Sequence, residues 1–326
     1  MKLRPTATAG NRLHWLADLC GPIRGCPMLR CKEMDGVLVV DKPEGWTSHD
    51  VVAKVRRLVG TKRVGHLGTL DPMATGVLPL VVGRATRLAQ FCMKGEKVYD
   101  AIVRFGWSTT SYDRDGEPTS AITEPVIDRD VLARRLEQFT GLIIQTPPPI
   151  SAKKIKGKPA YQLARKNIPV ELKPVEVTVQ SIEPVHLEGS EARLLVRCSA
   201  GTYMRSIAHD LGQALGCGAF LKSLRRLASG EFTLEQAKTV EQLEALAKEG
   251  RLREAIIPAA RLLPDIPSEC VDPLTVGQIR HGRDFRVSPF RARGYAKYVK
   301  AVTPDGELVA IGKAKLPNVY HPFLVF

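Results

Sequence analysis

Short apolar runs separated by turn residues predict several β-strands along the chain. Uninterrupted apolar runs at 37–40 and 77–82 are typical of buried strands. Between 98 and 105, apolar and polar residues alternate, which predicts a strand whose face containing Tyr99 points into the core. Longer strands are predicted at 175–187 and 192–199, and strand-like runs end the chain with the sequence FLVF.

Apolar residues at helical spacing predict helices between these strands. The apolar residues from Val51 to Val59 recur at this spacing, with Ser48 as the predicted N-cap and Gly60 as the end of the helix. Further helices are predicted at 85–91, at 131–139 before Gly141, from the segment GTYMR to Leu215 before Gly216, from a capping box at Thr239 and Gln242, and at 274–280.

Two segments differ in composition from this regular pattern. Residues 1–33 hold six basic residues, two acidic residues and three cysteines without sustained periodicity. We interpret them as a disordered basic extension or an upstream misplaced start, so that the folded domain begins at Met34. Residues 146–172 are rich in proline and lysine, which predicts a basic insertion in the domain.

The last sixty residues are predicted to form a separate module. A proline-containing stretch at 257–267 is typical of a linker. Beyond it, residues 266–326 contain a short helix, a hairpin turn at 304–306 and strand-like runs, which indicate a small, mainly β module. The prediction is therefore a domain at 34–262 followed by a module at 266–326.

The composition indicates a polyanionic partner. The 326 residues include 48 Lys and Arg against 34 Asp and Glu, a formal net charge of +14 with a pI near 9.6. Such an excess favours nucleic acid, because phosphates attract clustered basic side chains. No apolar run is long enough to cross a membrane, so no membrane partner is expected. The seven cysteines are spaced neither as a zinc site nor as a disulfide framework, which indicates reduced thiols in a cytoplasmic protein.

The stretch GHLGTLDPMATGVLPL, residues 65–80, places one carboxylate, Asp71, among glycines. An ionised aspartate can act as a nucleophile or as a base. Gly65, Gly68 and Gly76 allow backbone conformations and close approaches that a side chain would block. The alternative is that Asp71 only caps a turn through its side chain, since Asp-Pro is an ordinary turn sequence.

Three other residues are candidates for a functional site. Arg205 follows a predicted strand at the start of a helix, where its guanidinium could hold a carboxylate in a bidentate pair and keep its pKa low. Tyr99 is expected in the core, where its hydroxyl needs a polar partner. His66 could stack on a base, fill the core or bind a metal. No second histidine or cysteine stands at ligand spacing, so no metal site is expected.

Five segments in the same order resemble one protein family. GVLVVDKPEGWTSHDVV and GHLGTLDPMATGVLPL are similar to the signature of the bacterial TruB-type tRNA pseudouridine synthases, and QTPPPISAKKIKGKPAYQLAR, CSAGTYMRSIAHDLG and LGCGAFLKSLRRL resemble later segments of that family. The resemblance covers residues 34–262, and residues 266–326 resemble the PUA RNA-binding domain. It implies an α+β fold, with a large mixed, mainly antiparallel sheet flanked by helices and a small β-barrel-like module.

The resemblance implies isomerisation of the uridine at position 55 in the T loop of tRNA. The N-glycosidic bond breaks, the uracil turns, and its C5 bonds to the same sugar, without net redox change or hydrolysis, so no cofactor is expected. Asp71 would be the catalytic aspartate, paired with Arg205, and Asp113 would join the arginine network. Asp71 would attack C1′, remove a sugar proton or attack the base, and the sequence leaves these three routes open.

The same resemblance implies roles for the residues around the base. Tyr99 would stack on the target base, Tyr203 would lie beside the pocket, and Leu224 would line its wall. His66 would pack into the space opened when the nucleotide flips out of its stack. Lys42 matches the Lys-Pro turn of the family, where it would contact RNA phosphate or have a structural role.

The predicted RNA contacts are basic side chains. Lysines of the basic insertion are expected to contact phosphates, which positions RNA without reading its sequence. These lysines are Lys153, Lys154, Lys156 and Lys158. The C-terminal module is expected to hold the acceptor end of the tRNA through a basic patch made of Arg280, His281, Arg283, Arg286, Arg291 and Arg293. A monomer is expected.

Two other functions compete with this interpretation. A guide-RNA-dependent synthase of the archaeal and eukaryotic kind shares much of the signature, although its motif tends to differ after the Asp-Pro and its C-terminal extensions are larger. A noncatalytic RNA-binding or RNA-folding protein would also explain the net charge of +14. Activity on tRNA without guide RNA, and the effect of Asp71→Asn, distinguish the three.

Overall fold

The computed structural model describes residues 34–150, 154–155, 158–159, 173–288 and 296–326, and for the two short pieces only their backbone. The predicted extension at 1–33 and most of the predicted basic insertion at 146–172 lie outside these ranges. Both therefore stay predictions.

A ten-stranded sheet carries most of the strands in the described residues. The strands of the chain up to residue 258 are β1 (Gly36–Lys42), β2 (Val64–His66), β3 (Thr75–Val82), β4 (Lys97–Phe105), β5 (Gly141–Gln145), β6 (Lys154–Ile155), β7 (Lys158–Pro159), β8 (Val175–Glu188), β9 (Glu191–Cys198), β10 (Ala219–Ser229), β11 (Phe232–Thr233) and β12 (Ile256–Pro258). The large sheet has the order β12-β1-β3-β10-β4-β9-β8-β5, with β2 beside β3 and β11 beside β10, while β6 and β7 pair with each other. Its strands pair antiparallel except β3 and β10, which run parallel, so the predicted mixed, mainly antiparallel sheet is confirmed.

Helices flank this sheet, as the α+β prediction requires. The α-helices are α1 (Ser48–Val59), α2 (Ala89–Cys92), α3 (Arg129–Glu137), α4 (Met204–Ala214), α5 (Val240–Lys248) and α6 (Pro273–Arg280). Short 3₁₀ helices lie at Gly83–Leu88, Leu234–Gln236, Leu252–Ala255 and Ala259–Arg261. The predicted end of α1 is confirmed, since Gly60 adopts the left-handed conformation with φ of 67°. The predicted capping box of α5 is present at Thr239 and Gln242.

Both faces of the sheet are buried, which explains the uninterrupted apolar runs of its central strands. In β1, Leu38 and Val40 pack into a core cluster with helix residues such as Val51 of α1. The alternate residues of β1, Val37 and Val39, pack into a second cluster on the opposite face. A strand buried on both faces needs apolar residues at every position.

A second, five-stranded sheet forms the C-terminal module. Its strands are β13 (Ser268–Cys270), β14 (Phe285–Arg286), β15 (Tyr298–Val302), β16 (Leu308–Leu316) and β17 (Val319–Val325), in the order β13-β15-β16-β17-β14. It has a core of its own that includes Ile279 and Phe285. Leu308, Ile311 and Leu324 instead join the cluster on the outer face of the large sheet, so apolar contacts connect the two sheets.

The N-cap of α1 is Thr47, and the prediction of Ser48 is wrong. The Thr47 hydroxyl accepts from the backbone N–H of Asp50 (3.1 Å), and the Asp50 carboxylate accepts from the backbone N–H of Thr47 (2.9 Å). Ser48 is buried, where its hydroxyl donates to the carbonyl of Leu70 (3.0 Å) and accepts from the Leu70 N–H (2.8 Å). Two adjacent residues could cap the helix, and only the tertiary contact with Leu70 decides between them.

Several other boundaries differ from the prediction. Residues 85–91 form mainly a 3₁₀ helix followed by the single turn of α2, and the predicted linker at 257–267 begins inside the edge strand β12. The central strand β10 was not predicted, because register shifts at Leu221/Ser223 and Arg226/Ala228 interrupt its alternation of apolar and polar residues. The edge strand β5, which starts directly after the predicted helix end at Gly141, was also missed.

Candidate active site

A cavity of about 350 Å³ lies where the loop before β3, the strand β4, the start of α4 and the strand β10 meet. These segments are far apart in the sequence, and the sheet order makes them neighbours. The residues predicted from the sequence that line it are Asp71, Tyr99, Tyr203, Arg205 and Leu224. Two further cationic residues, Lys97 and Arg226, also line it.

The loop that carries Asp71 connects β2 to β3. Its glycines at 68 and 76 have positive φ values of 126° and 98°, which L side chains rarely adopt. A Cβ atom on Gly76 would also lie 2.2 Å from the carbonyl oxygen of Arg226, so only glycine allows β3 to pass this close to β10. The predicted need for glycine therefore holds at these two positions. At Gly65 a Cβ atom would make only an ordinary contact with Val81 (3.8 Å), so this position does not require glycine.

Asp71 and Arg205 form a close ion pair in the cavity, with one hydrogen bond and one further charge contact. Nη2 of Arg205 donates to Oδ1 of Asp71 (2.9 Å), and Nε lies 2.9 Å from Oδ2. The arginine side chain is almost completely buried, whereas the carboxylate keeps 31% of its side-chain surface exposed. The arginine therefore fixes the direction of a carboxylate that stays open to an incoming group.

Arg205 is itself held by the loop after β4. Its Nη1 donates to the carbonyl of Ser111 (3.2 Å) and lies 3.4 Å from Oδ2 of Asp113. The Ser111 hydroxyl donates in turn to the Asp113 carboxylate (2.5 Å). The network implied by the resemblance, from Asp113 through Arg205 to Asp71, is thus present as a set of direct contacts.

Burial raises the pKa of the Asp71 carboxyl, and the neighbouring Asp113 charge adds to this effect. Arg205 and Lys42 act in the opposite direction, and the loss of hydration outweighs them. The sequence had suggested that Arg205 would keep the pKa of its partner low, so the net direction is the reverse of that expectation. A carboxylate with a raised pKa is a better base and nucleophile than an ordinary aspartate.

The two tyrosines and Leu224 form other parts of the cavity wall. Tyr99 lies on β4 with 8% of its surface exposed, and its hydroxyl interacts with the guanidinium of Arg226. Tyr203 is the N-cap of α4, and its N–H and C=O bond to the side chain of Gln145 (2.7 and 2.9 Å). The aromatic wall is therefore held by strand pairing on one side and by an amide side chain on the other.

His66 lies near this cavity but is not part of its lining. It is the last residue of β2 and pairs with Leu80 of β3. Burial and the positive charge of Arg226 both lower the pKa of His66, which favours the neutral ring. A neutral, half-buried imidazole next to the Asp71 loop can pack against an aromatic surface without carrying a charge into it.

Lys42 is completely buried, which favours the structural role over the phosphate contact. Its Nζ donates to the carbonyls of Trp46 (2.5 Å), Pro43 (2.9 Å) and Pro72 (3.1 Å). The last of these carbonyls belongs to the residue after Asp71, so Lys42 connects the end of β1 to the loop of the aspartate.

Lys42→Met is expected to lower the free energy of unfolding by about 1–3 kcal/mol, because buried carbonyls lose their donor. We also expect a lower turnover rate, since the loop after Asp71 loses an anchor. Urea unfolding at pH 7 measures the first effect. Lys54→Met is the control, because Lys54 forms a partly exposed ion pair with Glu244 and should change stability by less than about 0.5 kcal/mol.

The pH dependence of stability gives a second readout for Lys42. Burial lowers the pKa of Lys42 from 10.5 to about 8, so the unfolded chain binds more protons than the folded one between these values. The contribution of Lys42 to stability therefore rises with pH over this window. Lys42→Met should remove that rise, and an unchanged pH profile would contradict the assignment.

The lysines predicted to contact phosphates fall largely beyond the described residues. Lys153 and Lys156 lie outside them, and for Lys154 and Lys158 only the backbone of the β6–β7 pair is described. In the C-terminal module, Arg280, His281, Arg283 and Arg286 are exposed, as a basic surface requires. Arg291 and Arg293 of the same predicted patch lie outside the described ranges.

Three further features of the described residues concern metal ions, membranes and disulfides. Among the described residues, no three histidine, cysteine, aspartate or glutamate side chains are placed to hold a metal ion. Within the same ranges, no helix has the length and apolar character needed to cross a membrane. The described cysteines, Cys92, Cys198, Cys217 and Cys270, are free thiols.

Sequence reasoning missed three residues that organise the site: Ser48, Gln145 and Arg226. Ser48 bonds to the residue before Asp71, and Gln145 bonds to the backbone of Tyr203. Arg226 is only 1% exposed and lines the cavity. The pair Arg225-Arg226 in an apolar segment was a usable signal, because adjacent residues of a strand point to opposite faces and one arginine must then be buried.

Solved structures share this fold. The chain is similar to one in the structure titled "Structure of H/ACA RNP bound to a substrate RNA containing 2'-deoxyuridine", with a TM-score of 0.67 and 28% identity over 90% of this chain and 85% of that one. It is also similar to one in "Crystal Structure of a Cbf5-Nop10-Gar1 Complex", with a TM-score of 0.64 and 30% identity over 87% and 79%. The fold of this chain is therefore that of the pseudouridine synthases.

The chain belongs to the TruB family of pseudouridine synthases. Residues 56–204 match the family described as "TruB family pseudouridylate synthase (N terminal domain)", and residues 205–264 match "tRNA pseudouridylate synthase B C-terminal domain". A relative from Solibacter usitatus (strain Ellin6076), named tRNA pseudouridine synthase B, is 64% identical over 90% of this chain and all of its own length. One of the same name from Thermobifida fusca (strain YX) is 44% identical over 90% and 98%.

Proposed function

We propose that this protein isomerises the uridine at position 55 in the T loop of tRNA to pseudouridine. The observation that carries the proposal is the close ion pair of Asp71 and Arg205 in a cavity walled by Tyr99, Tyr203 and Leu224. The family and the names of the relatives agree with this activity. The pocket provides a directed carboxylate and an aromatic surface for a base.

The target nucleotide has to leave its stack before Asp71 can reach it. Unstacking costs a few kcal/mol, which contacts of the base with Tyr99 and of phosphates with basic side chains offset. In this proposal Tyr99 stacks on the base, Tyr203 and Leu224 limit its movement, and His66 packs into the space that the nucleotide vacates. The lowered pKa of His66 supports this role, because a neutral ring loses less hydration when it is covered.

Asp71 is the catalytic residue of the proposed reaction. It bonds to C1′ through a carboxylate oxygen, removes a proton from the sugar, or adds to the base. In each route the C1′–N1 bond breaks, the uracil turns, and C5 forms the new bond to C1′. Arg205 holds both oxygens of Asp71 in place, and Asp113 orients Arg205.

The proposal assigns a separate task to each part of the chain. Residues 34–262 form the catalytic domain, which holds the T stem-loop, and the basic insertion at 146–172 contacts the RNA backbone. Residues 266–326 act as a PUA-like module that holds the acceptor end through its exposed basic side chains. The protein works as a cytoplasmic monomer without a cofactor.

Incubation of the full chain with an unmodified tRNA transcript tests the function. No guide RNA and no second protein are added, and chemical mapping locates pseudouridine in the T loop. We expect conversion at position 55. A transcript that stays unmodified under conditions where the protein binds it would contradict the proposal.

Guide-RNA-dependent modification is the second candidate, because both similar solved structures have titles that name H/ACA or Cbf5 assemblies. Conversion of the transcript alone excludes it. Conversion only after addition of guide RNA and partner proteins would favour it. A noncatalytic RNA-folding role is distinguished by Asp71→Asn, which would leave such a role unchanged.

A further inference from the structure

Arg226 lines the pocket and lies on β10, the strand between β3, which follows the Asp71 loop, and β4, which carries Tyr99. β10 pairs Arg226 with Gly76 of β3 on one side and with Tyr99 of β4 on the other. The side chain is 1% exposed, and Arg226 is among the largest residues with a fully buried side chain. A cation of this size is thus built into the floor of the cavity.

Backbone carbonyls hold the guanidinium in place. Its Nε donates to the carbonyl of Val77 (2.7 Å), Nη2 to Gly68 (3.1 Å) and Nη1 to Thr69 (3.5 Å). These acceptors come from both ends of the Asp71 loop. They orient the group without neutralising it, and among the described residues no carboxylate forms an ion pair with Arg226.

The charges around the cavity do not balance. Asp71 and Asp113 are matched by Arg205, which contacts both, and by Lys42, whose positive charge lowers the pKa of Asp71. Within the part of the chain that the structure describes, Arg226 is then left without a counterion.

Lys97 adds to this excess of positive charge. It is 4% exposed, lines the same cavity, and donates to the carbonyls of Gly95 (2.8 Å) and Met93 (3.5 Å). Burial lowers the pKa of Lys97 to about 8, and Arg226 acts in the same direction. The positive charge of Arg226 also lowers the pKa of Lys42 and His66, so its field extends across the site.

A buried cation without a counterion is costly for folding. Such a group is useful where negative charge develops during a reaction, because a dry, prearranged charge stabilises that charge without reorganising. The proposed reaction creates such a charge. When the C1′–N1 bond breaks, its electron pair leaves with N1, and the detached uracil carries a negative charge spread over N1 and its carbonyl oxygens.

We propose that Arg226 stabilises the uracil anion in the pocket, with Lys97 as a second positive group in the same wall. The inference rests on the proposed function and adds a residue to it. In the two routes where Asp71 acts on the sugar, C1′ meanwhile gains electrons from an Asp71 oxygen or from the neighbouring C–H bond, and these are the routes to which the inference applies. When C5 attacks C1′, the electron pair of the uracil anion enters the new C5–C1′ bond. The bond between C1′ and the Asp71 oxygen breaks and returns its electron pair to the carboxylate, or, in the other route, Asp71 returns the proton to the sugar. C5 then loses its proton, and N1 gains one.

A comparison of uridine with 5-fluorouridine at position 55 of the tRNA tests this inference. Fluorine withdraws electrons, so the fluorinated uracil anion depends less on a positive charge supplied by the protein. Its C5 carries fluorine in place of the proton that uridine loses last, so the rate compared on both substrates is that of C5–C1′ bond formation. We expect Arg226→Gln to slow single-turnover conversion of uridine by about 10²-fold, with tRNA affinity within about threefold. The slowing on 5-fluorouridine should be about tenfold smaller, and Arg226→Lys, which keeps the charge, should leave the ratio of the two rates near that of the wild type.

The matched control is Arg225→Gln, on the same strand. Arg225 pairs with Asp41 at the surface (2.7 Å), so this variant should keep the wild-type ratio of rates. Equal slowing on both substrates by Arg226→Gln would mean that Arg226 only holds the loop, and would overturn the inference. A large loss of tRNA affinity with an unchanged rate would mean phosphate binding instead, and would overturn it as well.

Two further outcomes are also decisive. If Arg226→Gln does not fold, as judged by thermal unfolding, Lys97→Met takes its place in the same assay. A ratio shifted towards 5-fluorouridine then supports the inference, and an unchanged ratio overturns it. If the wild type itself leaves uridine unconverted, the proposed function fails first, and the inference fails with it.

Discussion

Asp71→Asn is expected to slow pseudouridine formation by at least about 10³-fold, because the amide can act neither as a base nor as a nucleophile. The affinity for tRNA should stay within a few-fold of the wild type. Asparagine has the same shape, and one of its atoms, the carbonyl oxygen, can still accept from Nη2 of Arg205. The pocket wall formed by Tyr99 and Leu224 does not depend on the charge at position 71.

Single-turnover conversion of a tRNA transcript and a filter-binding assay measure the two quantities separately. Asp100→Asn is the matched control, since Asp100 forms a surface ion pair with Arg193 (2.6 Å) and should keep the wild-type rate. A rate for Asp71→Asn within tenfold of the wild type would remove Asp71 from its catalytic role. A large loss of affinity would instead make its main role RNA binding.

Arg205→Lys should lower the single-turnover rate by about 10²-fold. A lysine is a single charged point on a flexible chain, whereas Arg205 holds both oxygens of Asp71 at once. The variant keeps the positive charge, so we expect little change in the pKa of Asp71. The carboxylate, however, loses its fixed orientation. The variant also loses the contact with the Ser111 carbonyl that fixes the arginine from behind.

Arg193→Lys is the control for this prediction, because its bidentate pair with Asp100 lies at the exposed surface of β9. Exposed pairs of this kind contribute about 0–1 kcal/mol, and no effect on rate is expected. If Arg205→Lys kept the wild-type rate, positive charge alone would explain the role of Arg205. The pH profile of the rate of Arg205→Lys separates the two effects. An acid limb at the same pH as in the wild type would show that the orientation of Asp71 changed and its ionisation did not.

Local pattern predicted those elements whose residues interact within one turn or one strand. β4 alternates buried and half-exposed residues from end to end, as its sequence indicated. Gly60 ends α1, and Thr239 with Gln242 begins α5, since both capping arrangements depend on residues at most four positions apart. The predictions failed where a contact from elsewhere in the chain decides, as it does for Ser48 and Leu70.

Lys42 shows that the chemical type of a residue does not determine where in the fold it lies. Its sequence context, a Lys-Pro turn in a basic protein, was compatible with a phosphate contact. Burial and three carbonyl acceptors make it part of the interior instead. Nothing within a few residues of Lys42 indicates that Pro72 lies beside it, because this contact requires the loop after β2 to fold back onto the end of β1.

The sequence alone was sufficient to recognise the family motifs and to predict the regular strands and helix ends. It also identified Asp71 as the carboxylate around which a site could form. The folded chain was needed to show that Arg205, 134 positions away, meets it, and that Arg226 rather than Arg225 turns inward. The physical reason is that sheet order and register shifts are collective properties of the fold. The register shifts in β10 alter which side chains face the cavity, and no local spacing records them.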